Sequence, residues 1–383
     1  MKKNIIIVIL SLFFVFNIFT ALGFGQDKYS TKPVKNHGKK WRIGYLEGGP
    51  FPNYPPNLTA FVKSLAQLGW LEDPNIVLQE NEQNAKSVWN WLSTNVKSDY
   101  IEFPVNAFYS ENWNKDRRNS VKKKLIKRLN SKKDIDFMIA MGTWAGQDLA
   151  NNKHSVPTMV FSSSDPIRAG IIKSEQDSGF DHIHARVDPT RYERQIKLFY
   201  DIIGFKKLGI TYEDSPEGRT YAAIEDIEKV AKEMGFEIVR CFSKNQVPDI
   251  KIANRSVVKC HEKLASKVDA VYITNQTGVN ADNMKNLLAP LFKKKIPTFS
   301  QIGSRDVKKG VLLCIAQANF KYVAQFHAEK AAMIFNGAKP RDLKQIFEDP
   351  PKISINLATA KIIGYDPTVD ILGVADEIYQ KIE

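Results

Sequence analysis

From Trp41 onward, short apolar runs alternate with longer segments whose apolar positions recur every three or four residues. The short runs have strand length and strand composition: Arg42–Leu46, Ile76–Gln79, Tyr100–Phe103, Phe137–Met141, Thr158–Phe161 and Ile183–Val187, then Lys207–Tyr212, Glu237–Phe242, Ala270–Thr274, Pro297–Ser300 and Val311–Ala316. The longer segments read as amphipathic helices over Asn57–Leu68, Ala85–Asn95, Asn119–Leu129, Arg191–Ile203, Gly218–Met234, Ser256–Ala265, Ala281–Phe292 and Tyr322–Phe335. Continuously apolar strands between helices predict parallel sheets covered on both faces.

The rhythm divides near residue 188. The second unit repeats strand, polar loop and helix: KLGITYEDSPEG, FEIVRCFSK, DAVYITNQTG and IPTFSQIG. Ligands of open parallel sheets bind outside the carboxyl ends of the strands, so these loops are candidate contacts. Beyond residue 317 a long helix, a loop rich in Pro and Lys, a strand at Lys352–Ile355 and a final helix read as additions to existing lobes. Residues 104–118 break the alternation with aromatic and Asn residues and read as an elaborated loop.

The ends change the picture. Lys2 and Lys3 precede an apolar stretch, Ile5–Phe16, and small residues follow at Ala21, Gly23 and Gly25. That order predicts a signal peptide over 1–25, removed on export, with an uncleaved anchor as the alternative. No Cys lies near the junction to carry a lipid. Residues 26–40, polar and basic, read as a flexible leader.

The formal charge of +13 is concentrated between Lys115 and Lys133. Val121, Leu125, Ile126 and Leu129 recur there at helical spacing, so the cations read as the wet face of a helix. Export also argues against nucleic acid as a partner. The three cysteines, Cys241, Cys260 and Cys314, read as small buried hydrophobes, with a Cys241–Cys260 bridge as the alternative. Neither Cys nor His spacing forms a metal motif, and no cofactor is expected. The chain contains no G-x-S-x-G, P-loop, G-x-G-x-x-G or H-E-x-x-H, so an enzyme is not expected.

The segments RIGYLEGGPFPNY, FVKSLAQLGWLEDPNIVL, DFMIAMGTWAGQDLA, VPTMVFSSSDPIRAGII, HARVDPTRYERQIKLFYDIIGFKKLGITYE, DAVYITNQTGV and ISINLATAKIIGYDP resemble, in order and spacing, the solute-binding proteins of ABC importers with the type I periplasmic fold. The likeness is to the branch with tryptophan-binding members. It implies two Rossmann-like lobes, 41–188 with 318–352 and 189–317 with 353–383, joined by a three-crossover hinge around a cleft. It also implies a periplasmic, monomeric protein that captures a small molecule for an ABC permease in the inner membrane. An amino acid, aromatic by preference, is the first expectation, and a planar heterocycle the second. A ligand-sensing subunit of a chemoreceptor or sensor kinase is the alternative role.

Candidate contacts follow from the strand ends. In the first lobe they are Glu47, Gly49, Phe51 and Tyr54, then Gly142, Thr143 and Trp144, then Ser163 and Asp165. Glycines admit close approach, aromatic rings stack on a planar ligand, Thr143 could cap a helix, and Asp165 could pair with an amino group. In the second lobe they are Glu213 and then Asn275, Gln276, Gln301 and Gln317, the last four with uncharged amides that suit closure at small desolvation cost. Each has a plainer reading: Gly-Thr as a cap only, Asp165 before Pro166 as a turn, Phe51 and Trp144 as core.

Overall fold

The computed structural model describes residues 29–76, 84–315, 320–348 and 350–383. The expected signal peptide, Gln317 and most of the expected strand Ile76–Gln79 lie outside the described residues.

Two sheets organise the chain. The first contains β1 (Trp41–Glu47), β2 (Ile101–Glu102), β3 (Phe108–Ser110), β4 (Phe137–Met141), β5 (Thr158–Phe161) and β6 (Ile183–Ala185). Its order is β2-β1-β4-β5-β6, and all its pairings are parallel. β3 also pairs with β1, carrying the edge on from β2 past a turn of 3-10 helix at Val105–Ala107. The segment expected to be only a loop thus supplies a short strand.

The second sheet contains β7 (Lys207–Tyr212), β8 (Glu237–Phe242), β9 (Ala270–Ile273), β10 (Thr298–Ser300), β11 (Leu313–Ile315), β12 (Ile353–Asn356) and β13 (Glu377–Tyr379), in the order β13-β12-β11-β10-β9-β7-β8. β11 and β12 run antiparallel, because the chain re-enters this sheet from the first lobe and so from the opposite end. The C-terminus, expected to finish in one helix, forms two short helices, Leu357–Ile363 and Val369–Val374, before β13.

The helices are α1 (Tyr54–Gln67), α2 (Ala85–Asn95), α3 (Lys115–Ser131), α4 (Thr143–Leu149), α5 (Arg191–Ile203), α6 (Pro216–Tyr221), α7 (Ile224–Met234), α8 (Ile250–Leu264), α9 (Ala281–Lys293), α10 (Ser304–Lys308) and α11 (Lys321–Phe335). The expected helix over 218–234 is split into α6 and α7 at Ala223, which takes a left-handed φ of 53°. α3 starts at Asn114, whose side chain accepts from the Arg117 amide at 2.9 Å, and it buries only Leu125 and Leu129, leaving most of its cations in water.

Residues of β1, β4 and β5 are almost wholly buried, as strands covered on both faces must be. Ala328, Ala331, Met333 and Phe335 of α11 join the first lobe's core, so this helix belongs there although it follows the second lobe in sequence. The second lobe has a separate core on each face of its sheet. Two of the connecting segments lie side by side: the Val187 amide donates to the Gln345 carbonyl and the Phe347 amide to the Val187 carbonyl, both at 2.9 Å.

Of the two readings of the cysteines, the structure has the bridge. Cys241 of β8 is bonded to Cys260 of α8, with Cα atoms 5.5 Å apart. Cys314 is buried in the second lobe.

Candidate functional site

The loops at the strand ends of the two sheets face each other and enclose two connected chambers. One, of about 80 Å³, is lined by Asn53, Asn57, Ser162–Ser164, Arg186, Arg191, Tyr192, Asn275, Gln301 and His327 among others. Its neighbour, of about 30 Å³, is lined by Phe51, Tyr54, Trp113, Thr143, Tyr221, Asn245 and Thr277, and shares Ser162, Ser164 and Asn275 with the first. One chamber is polar and the other aromatic, and each takes residues from both lobes. A third cavity at the outer mouth sets Lys115, Arg118 and Lys122 of the first lobe opposite Glu213, Asp214 and Glu217 of the second.

The first lobe's wall is built by close packing. The Trp113 ring lies on the backbone of Gly48 and Gly49; a Cβ on Gly49 would meet that ring at 2.6 Å. The Trp113 indole N–H donates to the Pro50 carbonyl at 2.9 Å, and its ring meets Trp144 edge-on at 5.5 Å. Gly142, at φ 88°, leaves room for the Tyr54 hydroxyl, which any side chain there would overlap. Gly142 is itself the cap of α4, so Thr143 does not cap the helix as expected; its hydroxyl stands 3.5 Å from that of Ser163. Ser162 turns the chain out of β5 with a left-handed φ of 55°.

The second lobe's wall is a hydrogen-bonded network of uncharged groups. Gln301 accepts from the Asn275 amide at 2.6 Å and donates to the Tyr221 carbonyl at 2.8 Å. Asn245 accepts from the Thr277 amide at 2.6 Å. Gln276, expected at the ligand, is instead taken up inside the lobe: it accepts from Ser243 at 2.6 Å and donates to Thr211 and Thr274.

The lobes also touch directly. Arg168 grips Asp226 through two bonds of 2.7 and 2.9 Å, and Arg305 donates to the Asn53 side chain at 2.8 Å. The Tyr192 hydroxyl approaches the Ser164 carbonyl at 3.5 Å.

Of the residues expected from sequence, Phe51, Tyr54, Thr143, Ser163, Asn275 and Gln301 line the chambers, and Trp144 and Glu213 line the outer mouth. Gly49 and Gly142 lie behind the wall as spacers. Asp165 is committed to its own turn, accepting from the Ile167 and Arg168 amides at 3.0 and 2.9 Å. Glu47 is buried and accepts from the Tyr45 hydroxyl at 2.9 Å. Among the described residues, neither chamber is lined by an Asp or Glu.

Sequence reasoning missed Asn53, Asn57, Trp113, Tyr221 and His327. Asn53 and Asn57 are four apart across the start of α1 and so share a helix face, a signal available in the sequence. Trp113 lies in the segment singled out as unusual.

Buried acids stand behind the aromatic wall. Burial pushes the Glu47 carboxyl up to about 7, against smaller opposing hydrogen bonds from Ser110 and Tyr45. Glu111 is pushed up to about 9 by burial and by the neighbouring Asp148. Burial also works to raise Asp148, but Arg118 and Lys122, at 2.9 and 3.1 Å, hold it below its ordinary value. Burial, with His184 and Arg186 nearby as smaller causes, holds His327 well below the usual imidazole value, so this chamber-lining ring is neutral.

Two α/β lobes with strand ends converging on one enclosed cleft define a bilobal solute-binding protein. The chain belongs to the ABC transporter substrate binding protein family, which it matches over residues 108–378. It is 23% identical over 244 residues to a tyrosine-binding protein of Clostridioides difficile, a match covering 62% of this chain and 65% of that relative's length. Its fold is similar to that of an ABC domain from Streptococcus pneumonia crystallised with L-Trp (18% identity, TM-score 0.67, 89% of this chain and 100% of the other). It is also similar to a ligand-free, open substrate binding protein with adhesive properties from Clostridium difficile (20% identity, TM-score 0.58, 89% and 100%). The fold is thus the two-lobed type I periplasmic architecture, and the class is that of substrate-binding transport proteins.

Proposed function

We propose that this protein works outside the cytoplasm, after cleavage of its leading segment, and delivers an amino acid with a planar side chain to an ABC permease. The observation that carries the reading is the paired chamber drawn from both lobes. The aromatic part, with Phe51, Tyr54, Trp113 and Tyr221, suits a ring, which gains from stacking and from leaving water. The polar part, with Arg191 and Ser162–Ser164, suits a carboxylate. The relatives that bind tyrosine and L-Trp support the ligand class. A ligand touching both lobes favours the closed arrangement by its differential affinity for it, with motion along the paired segments at Val187 and Ile346. A permease would then read the closed surface beside the cleft.

The test is a thermal-shift screen over the amino acids, nucleobases and small peptides. L-tyrosine or L-tryptophan should raise the melting temperature in a concentration-dependent way. If only nucleobases or peptides do so, the amino-acid ligand is wrong. If no member of the screen does, the receptor reading loses its support.

A further inference from the structure

We infer that the cleft receives the ligand's α-ammonium on neutral amide oxygens, Asn57 from the first lobe and Asn275 from the second, instead of on a carboxylate. The inference rests on the amino-acid reading above and specifies which group of the ligand the site selects.

The side-chain oxygens of Asn57 and Asn275 are both buried with no hydrogen-bond partner, and both residues line the polar chamber. Asn57 is only 4% exposed. Buried polar atoms are ordinarily paired, and an unpaired one costs free energy until a partner arrives. Both orphans are acceptors, so the missing partner is a donor. Their backbones are set independently: the Asn57 amide is held at 3.2 Å by the Asn53 carbonyl at the start of α1, and the Asn275 amide at 2.6 Å by Gln301. One acceptor therefore comes from each lobe.

No carboxylate competes for the role, since among the described residues neither chamber is lined by an Asp or Glu. Asp165 spends its oxygens on its own turn and on Arg168, and Glu47 faces Tyr45. His327 carries an unpaired Nδ1 but is neutral.

An ammonium offers three donors, a hydroxyl one and a keto group none. A site built from two waiting acceptors therefore ranks an amino acid above the 2-hydroxy acid of the same skeleton, and that above the 2-oxo acid. The penalty for leaving such acceptors unpaired is tenfold or more in affinity, by an order-of-magnitude estimate of about 1–3 kcal/mol per orphan. Because the two oxygens belong to opposite lobes, the ammonium also acts as the clasp between them.

The experiment is titration calorimetry with L-tyrosine, 4-hydroxyphenyllactate and 4-hydroxyphenylpyruvate, and with the matching tryptophan series. The wild-type protein should prefer the amino acid to the oxo acid at least tenfold, with the hydroxy acid between. Asn57→Leu and Asn275→Leu should each shrink that ratio, whereas Asn275→Asp, which keeps an acceptor, should preserve or widen it. An oxo acid bound within threefold of the amino acid overturns the inference, as does a ratio that neither Leu substitution moves. If a Leu variant fails to fold, the wild-type ranking and Asn275→Asp decide. Tight binding of the oxo acid would leave the receptor reading standing while removing this one; failure of every compound would remove both.

Discussion

The two walls of the cleft come from the same kind of unit, a parallel sheet ending in loops, yet they are made differently. The first lobe presents rings, Phe51, Tyr54 and Trp113, seated on glycine backbone and backed by buried acids. The second presents amides and hydroxyls already bonded to one another, with fewer rings. Packing fixes a ring, whereas hydrogen bonds fix an amide, so one wall supplies surface and the other supplies direction. The strand-end rule of open sheets says where a ligand sits but not which chemistry each end contributes.

The sharpest way to break the comparison is Trp113→Ala. If the aromatic wall is structural as well as ligand-facing, this variant should lose about 3–5 kcal/mol of stability, because a nearly buried ring leaves a cavity. Denaturant unfolding would report the loss, and a change under about 1 kcal/mol would reduce Trp113 to a loosely held flap. The corresponding test of the second wall is replacement of Cys241 and Cys260 by Ser. The bridge closes a loop across 19 residues of sequence, and a loop of that order contributes about 3 kcal/mol in the chain-entropy picture. Ligand affinity should survive, since neither cysteine lines a chamber. A lost affinity with intact stability would mean that the rim of the second lobe takes part in recognition.

The buried acids predict an inverted pH response. Glu47 titrates near 7 in the folded chain and near 4.5 unfolded, so the folded state holds the extra proton between those values. Stability should therefore fall as pH rises from about 4.5 through 7, by roughly 1–3 kcal/mol, the reverse of a salt-bridged carboxylate. Glu111, raised to about 9, extends the decline upward. Urea midpoints at pH 5, 7 and 9 would show the slope, and Glu47→Gln should flatten its lower half. An unchanged slope in that variant would place the titrating group elsewhere. The smallest effect is expected from Arg168→Ala. The pair with Asp226 crosses between lobes but is partly wet, so its loss should weaken ligand binding by less than about 1 kcal/mol, an effect that salt should mask.

Much of the fold was legible because burial wrote it into periodicity. β4, β5 and β7 coincide with apolar runs read from the chain alone. The misses have local causes. Ala223 breaks a helix through a backbone turn that its side chain does not announce, and β12 reverses direction for reasons of chain path. The site was half legible. Strand-end position pointed to Phe51, Tyr54, Thr143, Ser163, Asn275 and Gln301, but it cannot distinguish Asn275, whose side-chain oxygen is unpaired, from Gln276, saturated within the lobe. That difference is one of side-chain direction, decided by neighbours far away in sequence. Asp165, attractive as a charge partner, was claimed by amides two and three residues further on.

The Cys241–Cys260 bridge makes the protein's history part of its structure. A chain assembled under reducing conditions would reach the same sheets with its outermost second-lobe strand fastened to α8 only by packing. Material assembled in an oxidising space and material kept in a reducing one are then distinct molecules at that rim, and their calorimetric traces should be compared before either stands for the native protein.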